Sequence, residues 1–291
     1  MRLGEECREC LFQSQSARVK KYPDSEKKDV FLREIRSLTK TFPSKSASPL
    51  LMREIDRKHR EIFGYPLDYS EEKNRFNRFF LDCEAQIEQE VLQSKDPLEK
   101  AIQFACVGNL IDFAKLTSID KDRVNHFIAI ADKQKIDTGV YRSLKKDLKS
   151  AKSAVYLLDN CGEIVFDKIL IRTIKRLYRG IVVTAVVRGK EIINDVTRKD
   201  SVQVGLDKVV EVVDNGTDIP GTYLNEISGE CKKKLDEADL ILSKGLGNFE
   251  TLFGCGLNIY YMFLCKCRYF ADKFHLNQWE SVLTNERLLS F

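Results

Sequence analysis

The chain has no apolar run approaching the roughly 20 residues that cross a bilayer, so no membrane-spanning role is expected of its 291 residues. Its opening, Met1-Arg2-Leu3-Gly4-Glu5-Glu6, lacks the apolar stretch of a secretory signal. It carries only a small excess of one charge: 48 basic residues against 44 acidic give +4, spread along the chain. That balance argues against nucleic acid as the main partner, because proteins that bind it concentrate Lys and Arg on one face. There is no internal repeat and no Gly-x-x-x-x-Gly-Lys-Ser/Thr phosphate loop. Cysteine is not scarce, at nine residues, but an odd count without a signal peptide fits free thiols in a reducing, cytoplasmic setting.

What is present is an ordinary globular composition, 43% apolar and 32% charged, long enough to bury a substantial core. Residues 1 to about 150 read as an all-helical domain. Asp24, Ser48-Pro49, Ser70 and Asp96-Pro97 each precede apolar residues at helical spacing, and Asp96-Pro97 pairs a capping side chain with a first-turn proline. From 151 to 291 the pattern changes. Short β-branched runs at 154–158, 181–187, 208–213, 239–243 and 259–264 are separated mostly by helical stretches, the pattern of βαβ units. The expected architecture is α/β: a helical N-terminal domain packed on a three-layer α/β/α domain with a mostly parallel, Rossmann-like sheet.

Three polar clusters follow predicted strands. Asp159-Asn160-Cys161-Gly162-Glu163 ends the first, Arg188-Gly189-Lys190 and Asn194-Asp195-Val196-Thr197 follow the second, and Lys244-Gly245-Leu246-Gly247-Asn248-Phe249-Glu250 follows the run 239–243. Carboxyl ends of parallel strands share one rim of the sheet, where open α/β folds bind ligands. Carboxylates, carboxamides and an ammonium converging there make up a metal-assisted phosphate site. Oxygen donors suit hard ions such as Mg²⁺ or Mn²⁺. Lys244, in a Gly-containing turn, would supply a point charge to phosphate. Each cluster alone also fits a turn or a cap: Glu163 could cap its helix, and Thr197-x-x-Asp200 matches a capping box. In the helical half Asn109 shares a stripe with Leu98, Ile102 and Ala105, with Asp112 one turn on. That pair reads either as an internal hydrogen bond or as part of a roof over the pocket. Cys7-x-x-Cys10 and Cys265-x-Cys267 could together form a structural zinc site, although tight spacing and distant halves favour free thiols.

These three blocks, with Gly108-Asn109-x-x-Asp112-Phe113 and Cys7-x-x-Cys10, resemble the signatures of the damage-control phosphatases, formerly domain of unknown function eighty-nine, in their stand-alone prokaryotic branch. The resemblance covers most of the chain and is strongest over 154–254. It implies a divalent-metal-dependent phosphatase (Mg, Mn, Co or Ni, with no organic cofactor) acting on small phosphorylated metabolites such as sugar phosphates or damaged side products. Carried over by position, it makes Asp159, Asn160 and Asp195 the metal ligands, and Asp159, Lys244 and Glu163 the catalytic candidates. Lys244, Gly245, Asn248, Glu250, Asn194, Thr197, Arg188, Asn109 and Asp112 become the candidates for holding phosphate or substrate. Cys161 stands where a smaller residue, often Ala, is expected. A rival reading, an S-adenosylmethionine-dependent carboxyl methyltransferase, wants a Gly-x-Gly turn where this chain has Asp-Asn-Cys-Gly-Glu. A non-catalytic phosphometabolite-binding protein is the third reading.

Overall fold

Local chemistry sets the helices of the first half. The computed structural model describes residues 3–108 and 121–289, with α1 (Glu5–Val19), α2 (Ser25–Thr41), α3 (Ser48–Phe63), α4 (Ser70–Gln93), α5 (Pro97–Val107), α6 (Lys121–Asp132) and α7 (Thr138–Ser150). The Asp24 carboxylate accepts from the Lys27 amide at 2.9 Å and starts α2. Gly64, in the left-handed region at φ 83°, ends α3. Asp96 caps α5, whose Pro97 needs no amide partner in the first turn. Asn109 and Asp112 lie outside the described residues.

Beyond Ser150 the chain alternates strand and helix: β1 (Ser153–Leu157), α8 (Ile164–Leu177), β2 (Val182–Val187), α9 (Arg198–Gln203), β3 (Glu211–Asp214), α10 (Gly229–Asp236), β4 (Leu240–Lys244), α11 (Gly245–Leu252), β5 (Ile259–Leu264), α12 (Arg268–Phe274) and β6 (Ser281–Asn285). The sheet order is β3-β2-β1-β4-β5-β6, parallel except for β6, which runs antiparallel to β5 at the edge. Five of these strands fall where β-branched runs predict them. β6 lies outside those runs, beyond residue 264.

Alternation along β1 divides the core. Ala154 and Tyr156 face one layer with Phe80, Phe104, Leu144 and Phe166, while Val155 and Leu157 face the other with Leu235, Phe249 and Phe270. Helices α4, α5, α7 and α8 therefore cover one face and α10, α11 and α12 the other. Fully burying one such aromatic side chain contributes about 1.5–3 kcal/mol. The first cluster draws on residues from Phe79 to Leu148 as well as from Ala154 to Leu283, so the core continues across residue 150. A third cluster, around Phe31, Ile35, Leu51, Ile55 and Phe63, holds α1, α2 and α3 together. No described helix is long and apolar enough to cross a membrane.

Candidate active site

The strand order reverses between β1 and β4, and the loops leaving their carboxyl ends open a crevice there. Asp159 occupies the loop after β1, and its carboxylate lies directly against the first residue of α11. A Cβ at Gly245 would fall 2.0 Å from Asp159 Oδ2, and Gly245 sits at φ 80°. Only glycine satisfies both the conformation and the approach.

The loop after β2 folds back onto the loop after β1. The Val196 amide donates to the Asp159 carbonyl at 2.8 Å and the Cys161 amide to the Asn194 carbonyl at 2.9 Å, so Asn160 and Asp195 face each other as an isolated antiparallel pair. Behind them lies Arg188, 1% exposed. Its Nε donates to Asp195 Oδ2 at 2.6 Å, and its Nη2 is 3.6 Å from Asp159 Oδ1, so one guanidinium backs both carboxylates. Backbone pairing thus brings together residues that 36 positions separate in the chain.

Asn160 is oriented from below. Its amide nitrogen donates to Asp159 Oδ2 at 2.7 Å and to Glu163 Oε1 at 3.0 Å, which turns its amide oxygen the other way. Glu163 Oε1 also accepts the Asn160 backbone N–H at 2.9 Å, and its Oε2 accepts from Lys244 Nζ at 2.9 Å. Lys244 pairs in turn with Asp167 Oδ1 at 3.1 Å, which also accepts the Tyr156 hydroxyl at 2.7 Å. Burial opposes the charge on Lys244, but Asp167 and Glu163 outweigh it and raise its pKa. Asp159 and Asp195 move up instead. Burial is the main cause in both, reinforced at Asp159 by Glu163 and Asp195 and opposed by Arg188. Burial thus works against the charge on both floor carboxylates.

Above these groups lies a cavity of about 370 Å³. Asp159, Asn160, Asn194 and Asp195 line it, as the sequence leads one to expect of them. Lys244 does not: Leu240 and Leu242 face the α8 layer, and strand alternation sends the Lys244 side chain the same way. Glu163 is 1% exposed in the layer beneath and bonds Asn160 rather than the first turn of α8. Gly245 backs Asp159, whereas Leu246 and Gly247 reach the cavity wall. Asn248 is spent internally, donating to the Leu158 and Lys244 carbonyls and accepting from Thr222. Thr197 forms the capping box of α9 with Asp200. Glu250 accepts from the Ser48 amide and hydroxyl at the start of α3.

The basic wall residue that the motifs did not single out is Lys266, two positions beyond β5 and flanked by Cys265 and Cys267. Its pKa is lowered by burial, against the pull of Glu163 and Asp159. The helical half adds Leu11, Ser48, Pro49, Met52 and Glu72. Nothing in the spacing of these residues marks them as wall, since helix docking alone brings them there.

Among the described residues no three His, Cys, Asp or Glu side chains gather into a cage for a metal ion. A cation at this site would rest on the carboxylates of Asp159 and Asp195 with the amide oxygen of Asn160. That hard oxygen set fits Mg²⁺ or Mn²⁺ and leaves positions for water and a phosphate oxygen. All nine cysteines are free thiols. Cys161 is fully buried beside the Asp195 carbonyl.

The chain is similar to known proteins along most of its length. The model of the damage-control phosphatase ARMT1-like domain matches residues 3–282. A damage-control phosphatase of Archaeoglobus fulgidus is 32% identical over 259 residues, 85% of this chain and 86% of the relative. An uncharacterized protein of Methanocaldococcus jannaschii is 30% identical over 295 residues, 97% of this chain and 95% of its own. The crystal structure of a DUF89 family protein from Pyrococcus horikoshii superposes with a TM-score of 0.87 at 25% identity, over 98% of this chain and 99% of that one. From its first helix to its last strand, the chain belongs to the damage-control phosphatase, ARMT1-like (DUF89) family.

Proposed function

We propose that the protein is a divalent-metal-dependent phosphatase of small phosphomonoesters, with the cavity above Asp159, Asn160 and Asp195 as its active site. The observation that carries this reading is the pairing of the loops after β1 and β2, which sets two buried carboxylates and a carboxamide on the floor of a cavity with Lys266 in its wall. Relatives named as damage-control phosphatases support the reaction class.

Asp159, Asn160 and Asp195 would hold the ion. When bound, it polarises the phosphoryl group and offsets the charge that develops during transfer. Arg188 fixes Asp195 from behind, and Glu163 fixes the Asn160 amide with its oxygen turned outward. Lys266, with the first amides of α11 at Leu246 and Gly247, takes the phosphate oxygens; a helix N-terminus and an ammonium are both suited to an anion. The cavity is at the small end of ligand sites, so a compact monoester fits better than a dinucleotide.

The test is phosphate release from a panel of sugar phosphates and phosphorylated coenzyme intermediates, using chelated protein resupplied separately with Mg²⁺, Mn²⁺, Co²⁺ and Ni²⁺. Metal-restored turnover that disappears in Asp159→Asn and Asp195→Asn is expected. Turnover unaffected by chelation, or retained in both variants, overturns the reading.

A further inference from the structure

Ile193 stands one residue before the Asn194-Asp195 pair, at φ 38°. A β-branched residue rarely adopts this left-handed backbone, because its Cβ crowds the following carbonyl. The Asp195 amide donates to the Ile192 carbonyl at 3.1 Å, closing a four-residue turn with Ile193 at its first central position. Asn194 is not among the residues of positive φ, so the left-handed backbone falls on Ile193 alone, at a turn position where glycine is the usual residue. Something outside the turn must hold isoleucine there.

The helical half supplies it. Ile193 packs against the apolar cluster of α1, α2 and α3, and it shares the cavity wall with Leu11 and Met52. The same loop is held a second time by α4, whose Lys73 is 2.5 Å from Glu191 and 2.7 Å from Asp200. Immediately after Ile193, the carbonyl of Asn194 and the amide of Val196 bond to the loop of Asp159. Any movement at residue 193 therefore passes directly into the placement of Asp195.

We propose that Ile193 is a positioning residue. The docked N-terminal helices wedge its side chain and hold the turn in its left-handed form, and the turn in that form sets Asp195 for the cation and substrate. This rests on the metal-dependent reading above, and it assigns to the N-terminal helices a role in building the metal site as well as covering it.

The test titrates the full-length protein with Mn²⁺ alone and then measures kcat and KM for a hydrolysed monoester. Ile193→Val keeps the wedge and should stay within about twofold of wild type. Ile193→Gly accepts the backbone but removes the wedge. Its Mn²⁺ affinity should fall about tenfold, the scale seen when groups supporting metal ligands are lost. Its kcat should fall at least about tenfold with KM changed much less, as for a misplaced catalytic group. Met52→Ala attacks the wedge from the helical side and should weaken Mn²⁺ in the same direction; it replaces Ile193→Gly if that variant does not fold. Ile193→Gly with wild-type Mn²⁺ affinity and kcat overturns the proposal, as does an unchanged Met52→Ala standing in for it. A wild type that binds no divalent ion instead overturns the functional reading, and this inference with it.

Discussion

Replacing Gly245 by alanine places a methyl carbon on the Asp159 carboxylate and a side chain on a left-handed backbone. The backbone alone costs about 1–2 kcal/mol. The clash must be relieved by moving Asp159. We expect a folded Gly245→Ala with phosphatase turnover down at least about 100-fold, because displacements near 1 Å at reacting groups cost that much. Near-normal turnover would show that the close approach does not matter. The two lysines should separate cleanly. Lys244→Met leaves Glu163 and Asp167 buried without their cation, a loss of about 3–5 kcal/mol that thermal melting will read as lowered stability. Lys266→Ala should melt near wild type and raise KM about tenfold or more, the scale of a lost hydrogen bond to a charged group. The reverse pattern would return the phosphate contact to Lys244.

Among the elements, α3 carries a stability switch. His59 is buried and stacked on Phe63 at 4.6 Å, with Nε2 3.0 Å from the Tyr22 hydroxyl and Nδ1 3.1 Å from the Tyr65 carbonyl. Burial lowers its pKa below the usual 6.5, against the smaller effects of the Tyr65 carbonyl and Asp56. The unfolded chain then takes up a proton before the folded one does. Stability is complete above pH 6.5 and falls as the pH drops through that value toward the folded pKa. Melting between pH 7.5 and 5.5 should show His59→Phe losing less stability than wild type, about pH 6.5 and below. An identical slope would remove His59 from the account. The elements also show what can be read from sequence. Asp159 and Asn160 were legible because they break a buried apolar run at the point where open sheets bind ligands. Lys244 lies off the cavity because β4 runs one residue further than the apolar pattern, so strand alternation controls its side chain. Lys266 stands between two cysteines and belongs to no strand-end motif, so its spacing does not mark it as cavity wall. β6 was missed because Ser281-Val282-Leu283-Thr284-Asn285 is short and pairs antiparallel at an edge, outside the βαβ rhythm. The strain at Ile193 has no sequence signal, since its cause lies in another part of the fold.

The whole molecule depends on how the N-terminal helices are fastened to the α/β layers. α3 starts with no side-chain cap of its own, and its Ser48 amide and hydroxyl are instead taken by Glu250 from α11, 202 residues away. A carboxylate at a helix N-terminus satisfies an orphan donor and opposes the helix dipole. Because the first two turns of α3 supply Ser48, Pro49 and Met52 to the cavity wall, the contact that caps α3 also sets the shape of the pocket. Exposed pairs such as Arg57 with Asp218 span the same boundary, but pairs of that kind contribute about 0–1 kcal/mol. Glu250 is the stronger fastening. Glu250→Ala should cost about 1–3 kcal/mol by leaving the Ser48 donors unmet. Its KM should rise several-fold as the wall shifts, and Mn²⁺ affinity and kcat should weaken with it, because the start of α3 also carries Met52 of the Ile193 wedge. Glu250→Gln keeps an acceptor oxygen and should recover most of both losses. If Glu250→Ala instead leaves KM, kcat and Mn²⁺ affinity intact, the helices of the first half do not set the shape of the pocket through α3.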